Sequence, residues 1–444
     1  MPNWGAIMTL AKSFLLGSAA ALAAVVGASA ADLPSKKAAP AQYVNICDAA
    51  GAGYFYIPGS DTCLKIGGYV ELDWVYRQTK NTYSFSNQPG NSPTLSAAQR
   101  SNNSPSIDTE IQLEAVTKTS YGNLHTAIGF EASPGDGSPS GNSSNGAYLD
   151  YAYIEWAGLT AGKHESFYHN IGGLYSGYET PDYKTNLVAY TASFGGGFSA
   201  TISLEDSNTA SVQGFGPYIP KPFAGSANGV RAPDVILALR AKQSWGEVSL
   251  IGGFHQTNYN TGGLFSFLPA SNKSYSGYGI MGYVSINLPM LAAGDTISFQ
   301  AAYAKGASRF FGGLGGSYNG FQNTSGDIIS VISFSGATTG YSLLGDFKHN
   351  WTPTVSTEIE GSYTNTKIPN LFAIGIQSLT YGYSQFAIGQ VTKWTPVKGL
   401  EFGIDTAYYG TGYKVAGTQP VFAGAGNNSQ ENDFRVQFRA IRSF

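Results

Sequence analysis

Side chains able to carry out metal or nucleophilic chemistry are sparse in this chain. His164 and His169 lie five positions apart, so they cannot form the i, i+4 pair by which one helix face binds zinc, and His164-Glu165 lacks a second histidine four positions on. No G-x-S-x-G motif and no P-loop occurs. We therefore predict no catalytic residues, no metal site and no cofactor. The complete set of histidines is His125, His164, His169, His255 and His349.

Cys47 and Cys63 are the only cysteines, and they lie 16 positions apart. Two thiolates are too few for a structural zinc site, which takes four ligands. An oxidising compartment would allow them to pair as a disulfide. The alternative is two isolated buried thiols.

The start of the chain indicates export into such a compartment. Residues 14–27 are apolar and rich in alanine, Lys12 precedes them, and Ala28-Ser29-Ala30 follows as a small-residue cleavage site. We predict a secretory signal peptide over residues 1–30 and, after cleavage, an extended periplasmic segment over residues 31–63. The alternative is that the apolar stretch is a short buried helix.

Charged side chains alternate with apolar ones, which is the pattern of a strand with two different faces. Within residues 64–77, one face carries Leu64, Ile66, Val70, Leu72, Trp74 and Tyr76, and the other carries Lys65, Glu71, Asp73 and Arg77. The same pattern returns over residues 107–117, 124–131, 235–242, 297–303, 355–363 and 401–408. A soluble β-sandwich also alternates, so this pattern alone does not identify the architecture.

The connections between these strands alternate in length. Short ones cover residues 195–197, 244–246, 351–354 and 394–399. Long polar ones cover roughly residues 78–106, 132–146, 207–232, 258–275, 306–326 and 411–430. Short turns at one end and long loops at the other are typical of a transmembrane barrel. Because hydrocarbon offers no hydrogen-bond partners, the sheet must close on itself. We predict an all-β, antiparallel transmembrane barrel of about 16 strands over residues 64–444, with residues 306–345 ambiguous.

The composition agrees with many strands and polar loops. The chain has 444 residues, of which 12% are charged and 57 are glycine, whereas a soluble domain carries roughly 25% charged residues and about 7% glycine. Beyond the N-terminal region no apolar run of about 20 residues occurs, so the sequence offers no transmembrane helix. The net charge is −3 without a basic patch, which argues against nucleic acid as a partner.

The last twelve residues read as a final strand. Phe434, Val436, Phe438, Ala440 and Phe444 share its apolar face, and Asp433, Arg435, Gln437 and Arg439 share its polar face. Arg442 falls on the apolar face near the end, where its side chain can reach the lipid headgroups. This ending resembles the terminal strand of outer-membrane proteins, and the resemblance implies that the barrel-assembly machinery recognises Phe444.

Three segments resemble the general porins of alphaproteobacteria, including those of Brucella and the rhizobia. They are residues 46–70 (ICDAAGAGYFYIPGSDTCLKIGGYV), residues 148–166 (YLDYAYIEWAGLTAGKHES) with Thr180-Pro181-Asp182 after them, and the ending at Phe444. The resemblance implies a trimeric barrel of 16 strands in the bacterial outer membrane, with the third loop folded inward. Small hydrophilic solutes and ions would cross it by passive diffusion.

By this resemblance, residues 167–186 form the inward loop, which carries Glu179, Asp182 and Lys184. Predicted lumen faces of the wall carry Arg77, Arg240, Lys242, Arg435 and Arg439. Loop acids opposite wall bases would create a transverse field in the constriction and set charge selectivity. The alternative is that all of these are ordinary solvated charges. The lumen acids Glu71, Asp73, Glu110, Glu114, Glu358 and Glu360 favour a preference for cations.

Two other functions stay open. A substrate-specific outer-membrane channel, for sugars or phosphate, would use the loop aromatics for stacking, namely Tyr168, Tyr175, Tyr178 and Tyr183. A barrel hydrolase would need a serine and a histidine side by side on an outward face, which the sequence does not supply convincingly. An energised receptor with an N-terminal plug is disfavoured, because only about 33 residues separate the cleavage site from the first strand.

Overall fold

The structure is a computed structural model, and its two compact units are Met1–Asn45 and Ile46–Phe444. It describes residues 45–86, 94–133, 146–169, 184–207, 212–213, 226–227, 231–260, 272–311, 328–331, 334–373, 376–416 and 428–444. The predicted signal peptide and most of the predicted periplasmic segment lie outside these residues, and their boundaries stay predictions.

Within the described residues, sixteen long strands pair antiparallel with their neighbours in chain order. They are β1 Thr62–Ser86, β2 Thr94–Thr119, β3 Gly122–Ser133, β4 Gly146–Trp156, β5 Leu159–Glu165, β6 Lys184–Gly195, β7 Phe198–Glu205, β8 Asp234–Gln243, β9 Gly246–Asn260, β10 Asn272–Asn287, β11 Thr296–Lys305, β12 Thr339–Thr352, β13 Val355–Ala373, β14 Ile376–Val397, β15 Leu400–Ala416 and β16 Asn428–Ser443. The pairing of β1 with β16 closes the sheet. The Phe444 N–H donates to the Gly68 carbonyl at 3.0 Å, and the main-chain oxygen of Phe444 accepts from the Gly68 N–H at 3.3 Å. The predicted closed barrel of about 16 strands is confirmed.

The two faces of the wall differ as the alternation predicts. Exposed side chains on the outer face are mainly isoleucine, leucine and valine. Exposed aromatic rings flank them at the short-turn end, including Tyr121, Trp156, Phe194, Trp245, Trp351 and Trp394. Other rings flank them at the long-loop end, including Tyr278, Tyr303, Tyr341, Tyr363 and Tyr408. An apolar band between two aromatic girdles is typical of barrels in a bilayer.

Tight turns join the strands at one end. In the turn between β4 and β5, Ala157 has φ 52° and Gly158 has φ 89°. Positive φ at both central residues is the two-residue turn whose twist matches that of the flanking strands. The turn between β10 and β11 is longer, and its last residue, Asp295, is buried.

Several strands extend further than the sequence predicts. β1 continues to Ser86 and β2 resumes at Thr94, within a predicted loop over residues 78–106. β15 likewise runs to Ala416. Apolar alternation marks only the part of a strand that crosses hydrocarbon, and beyond it both faces meet water, so the pattern disappears while backbone pairing continues.

The ambiguous region 306–345 contains the start of β12 and shorter elements. A 3-10 helix covers Ser308–Phe311, and the short strands Ile328–Val331 and Phe334–Ala337 pair outside the barrel sheet. In the part of the chain that is described, no helix has the length and apolarity needed to cross a membrane.

Candidate functional site

The inner wall formed by β1 and β16 carries a charged cluster centred on Arg439. Its guanidinium lies 2.7 Å from a carboxylate oxygen of Asp73 and 2.8 Å from one of Glu71. Adjacent inward positions on paired strands face each other, so the register of Asp73 with Arg439 creates this contact. Asp108 approaches the same acids, and the three carboxylates lie within 4.8 Å of one another. Arg439 already offsets the charge of two of these three potential cation ligands.

The other predicted bases of this wall also bind neighbouring side chains. Arg77 donates to Asp433, which also accepts a hydrogen bond from Thr79 at 3.1 Å. Arg435 donates to Gln437. The sequence correctly predicts these bases on the lumen face, but it does not predict that acids of the same wall would pair with Arg77 and Arg439. Their place in a constriction stays a prediction.

The third long connection begins at Ser166, and its described part, Ser166–His169, lies inside the barrel. The Ser166 hydroxyl donates to Glu205 at 2.6 Å, and the Phe167 N–H donates to the other oxygen of that carboxylate at 2.9 Å. Arg240 of β8 donates to the carbonyl of His169 at 3.0 Å. Wall residues at the end of β7 and in β8 therefore fix the direction in which the connection leaves β5.

The remaining predicted site residues divide into three cases. Glu179, Asp182, Tyr175, Tyr178 and Tyr183 lie outside the described residues. Lys184 is the first residue of β6, not a loop residue as predicted, because its backbone pairs with Glu165 and its side chain binds Asp150. Lys242 is exposed one residue before the short-turn end of β8.

Tyr168 does not offer its ring to a solute, contrary to the sugar-stacking hypothesis. It is fully buried, and its ring stacks on that of Phe310 with 4.5 Å between centroids. The apolar cluster around this pair contains inward side chains of four wall strands, namely Ile236, Ala238, Ile251, Met281, Ala302 and Ala304.

Phe310 belongs to a second segment that lies inside the barrel, Gly306–Phe311, which we call the inner segment. It follows β11 directly, and its first N–H donates to the Thr338 carbonyl at 2.8 Å. Both Phe310 and Phe311 are fully buried against the wall. The inner segment and the start of the third connection therefore cover the same side of the lumen.

Three glycines on the inner wall make room for this segment. A Cβ at Gly279 would lie 2.5 Å from the Cβ of Phe310, and one at Gly253 would lie 2.7 Å from its ring. A Cβ at Gly340 would lie 2.4 Å from the ring of Phe311. An isolated glycine within a strand often marks such a close approach. That signal was present in the sequence but did not specify which segment approaches.

A buried polar network joins the inner segment to the wall. Arg309 lies 3.1 Å from Asp234 and 3.6 Å from Glu205, and both carboxylates are fully buried. The imidazole of His255 bonds Asp234 at 2.7 Å and the hydroxyl of Thr257 at 3.1 Å. The sequence did not identify these residues, because each partner lies on a different strand or connection.

The described part of the N-terminal segment, residues 46–61, folds against the short-turn end of the lumen. Cys47 and Cys63 form a disulfide, which confirms the predicted pairing. The Tyr54 hydroxyl donates to Glu114, and Lys65 binds that same carboxylate at 2.8 Å. Burial, aided by the Glu114 carboxylate, raises the pKa of Tyr54 well above its usual range. The tyrosine therefore stays a hydrogen-bond donor at every physiological pH.

Comparisons with known proteins agree with this architecture. Residues 32–438 match the family described as a porin subfamily. Porin Omp2b of Brucella canis is 34% identical over 247 residues, which cover 54% of this chain and 64% of that protein. Porin Omp2a of Brucella ovis is 33% identical over 290 residues, which cover 60% of this chain and 82% of that protein.

A solved structure shows the same fold. The outer membrane channel DcaP of Acinetobacter baumannii superimposes with a TM-score of 0.59 at 12% identity, covering 88% of this chain and 99% of that one. The matched region spans 64% of the length of Porin Omp2b. The family match nevertheless extends over most of the present sequence. The chain therefore belongs to the porin subfamily and is an outer-membrane β-barrel.

Proposed function

We propose that this barrel is a porin through which small hydrophilic solutes and ions diffuse passively. The observation that carries the proposal is the contrast between the two faces of one wall, with an apolar outer face and ionised groups such as Arg439 and Asp73 inside. Charged side chains are costly to bury unless they are paired or in contact with water, and a water-filled lumen removes most of that cost. A barrel of about 16 strands is too wide for side chains to fill.

Planar-bilayer recording of the purified mature protein tests this function. We expect discrete conductance steps that scale with salt concentration, and liposome-swelling rates that fall only with the size of the solute. A protein that inserts into lipid and gives no conductance would sink the proposal.

We further propose a preference for cations. Inward carboxylates on β1, β2 and β13 are buried, among them Glu71, Glu110 and Glu360. Rings of acidic side chains favour cations at close range. The reversal potential in a potassium chloride gradient measures this preference, and a potential of the opposite sign would contradict it.

We also propose that the barrel self-associates as a homotrimer. In the strand register, Lys163 of β5 lies opposite Ala152 of β4 and Asn186 of β6. These positions share the outward face of the wall with the exposed side chains of Ile154 and Val188. Leu159 begins β5 at the short-turn end, and Lys163 lies four residues further along the strand, about 13 Å from it. That distance places Lys163 near the bilayer midplane, where a lysine costs about 2–4 kcal/mol. A second copy that covers this polar site removes that cost.

Single-cysteine cross-linking tests the assembly. In a Cys47→Ser/Cys63→Ser background, Lys163→Cys should give dimers with a bifunctional maleimide and trimers with a trifunctional one, and nothing larger. The matched control is Leu343→Cys, an exposed outward position on β12. Equal cross-linking at both positions, or none at Lys163→Cys, would contradict a specific subunit contact there.

A substrate-specific channel is the second candidate function. Four rings on the lumen side of β3–β5 and the start of the third connection contact one another in succession: His125, Tyr153, His164 and Phe167. Such a series can stack on a sugar. Swelling rates that saturate for one sugar would favour this candidate over the general porin.

We expect no hydrolysis of lipid in either case, and we propose that Phe444 directs recognition by the barrel-assembly machinery.

A further inference from the structure

We infer that the inner segment, Gly306–Phe311, is an element that narrows the pore, and that it holds the start of the third connection, Ser166–His169, inside the barrel. The inference rests on the proposed channel function. It assigns a role in permeation to Phe310, Arg309 and the glycines that receive them.

The inner segment is fixed in place by shape. Strands β9, β10 and β12 present Gly253, Gly279 and Gly340 to the lumen where alanine would collide with Phe310 or Phe311. Glycine lacks Cβ and therefore allows such an approach, although it weakens a strand. β9 and β10 are neighbours, and only β11 separates β10 from β12. The three glycines therefore form a single recess that receives the inner segment.

The start of the third connection depends on the inner segment in two ways. Tyr168 is fully buried and stacks on Phe310. Glu205 accepts the hydrogen bonds of Ser166 and Phe167 and also lies 3.6 Å from Arg309. One ring contact and one shared carboxylate therefore link the two segments.

Two consequences follow for the pore. The open cross-section is set by both segments together, because they lie on the same side of the lumen. Displacement of the inner segment also removes the support of Tyr168, so the start of the third connection should become more mobile. A group added to the wall beneath the inner segment should lower conductance, loss of the Phe310 ring should raise it, and both changes should increase its fluctuations.

Glycine substitutions test this inference with matched controls on the same strands. Gly279→Ala would place a Cβ 2.5 Å from the Cβ of Phe310, whereas Gly282→Ala on the outer face of β10 meets nothing within 4 Å. On β9, Gly253→Ala would meet the ring of Phe310, whereas its neighbour Gly252→Ala meets nothing within 4 Å. Heat-modifiable electrophoresis first shows which variants are folded. Single-channel conductance and open-channel noise are then measured on the folded protein.

We expect Gly279→Ala and Gly253→Ala to lower conductance by roughly 1.5-fold, since the added Cβ pushes the inner segment from the wall towards the pore axis and pore radius controls permeation, and to raise the noise. Gly282→Ala and Gly252→Ala should match the wild type. Folded Gly279→Ala and Gly253→Ala channels with wild-type conductance and noise would overturn the inference. A wild-type protein that makes no channels would instead overturn the proposed function.

Phe310→Ala keeps the test decisive if an added methyl group prevents assembly. Loss of the ring leaves space, creates no collision and removes the stack with Tyr168, so conductance should rise, the opposite of the change in Gly253→Ala. The double variant Gly253→Ala/Phe310→Ala should then conduct like Phe310→Ala alone, because the ring atoms that residue 253 would meet are gone. Wild-type conductance in Phe310→Ala would overturn the inference.

Discussion

The guanidinium of Arg309 lies 3.1 Å from the fully buried carboxylate of Asp234, so a residue that follows β11 is tied to the first residue of β8. Removing one partner of a buried ion pair leaves an uncompensated charge and costs about 3–5 kcal/mol. Arg309→Met should therefore lower the unfolding midpoint of the barrel in lipid vesicles. Arg309→Lys should keep part of the stability, and Arg442→Met, an exposed arginine at the end of β16, should match the wild type. A midpoint unchanged in Arg309→Met would show that the pair contributes nothing.

The disulfide between Cys47 and Cys63 should hold the N-terminal segment at the short-turn end of the lumen. A cross-link closing a loop of this length contributes roughly 3 kcal/mol in the chain-entropy model. Cys47→Ser/Cys63→Ser should speed proteolysis within residues 48–61 while the barrel itself stays resistant. Reduction of the wild type should reproduce the effect, and the double variant should then be insensitive to reductant. Equal proteolysis before and after reduction would contradict this role.

The sequence predicts features that depend on neighbouring residues better than contacts between residues that are far apart in the chain. Alternation along residues 64–77 correctly places Trp74 outside and Asp73 inside, because side-chain direction in a strand is a local property. The pairing of Cys47 with Cys63 was also predictable, since no other partner exists. The network of Arg309, Asp234 and Glu205 was not, because nothing local relates a residue after β11 to the ends of β7 and β8.

The ends of the strands are also hard to predict from sequence, because backbone pairing continues where the side-chain pattern stops. Residues 78–106 read as a loop because polar side chains occupy both faces, yet β1 and β2 continue through most of them. Backbone pairing needs no particular side chain, so the sequence carries little signal for it beyond the membrane. The family resemblance placed Lys184 in the loop, although it begins β6.

Charge selectivity should respond to Arg439, which binds both Glu71 and Asp73. Arg439→Gln removes the positive charge and leaves two carboxylates facing the lumen, so the cation-to-anion permeability ratio should rise roughly twofold. The ratio follows from reversal potentials in a salt gradient. Arg442→Gln, three residues on and on the outer face, is the matched control and should leave the ratio unchanged. A fall in the ratio for Arg439→Gln would contradict the lumen position of this cluster.

The long turn before β11 should lose stability in acid. Asp295 accepts hydrogen bonds from the N–H of Asn350 at 2.8 Å and from His349 at 2.6 Å. Burial opposes its ionisation, but the Asn350 N–H and the His349 imidazole outweigh burial and lower the pKa of Asp295. A carboxyl whose folded pKa is lowered stabilises the protein fully above its unfolded pKa, about 3.9, and this contribution is lost as pH falls through the folded value. Asp295→Asn should thus melt below the wild type at pH 7, and the difference should vanish in strong acid. Asp48→Asn, an exposed position, should melt like the wild type throughout, and a gap between Asp295→Asn and wild type that persists unchanged in acid would contradict the assignment.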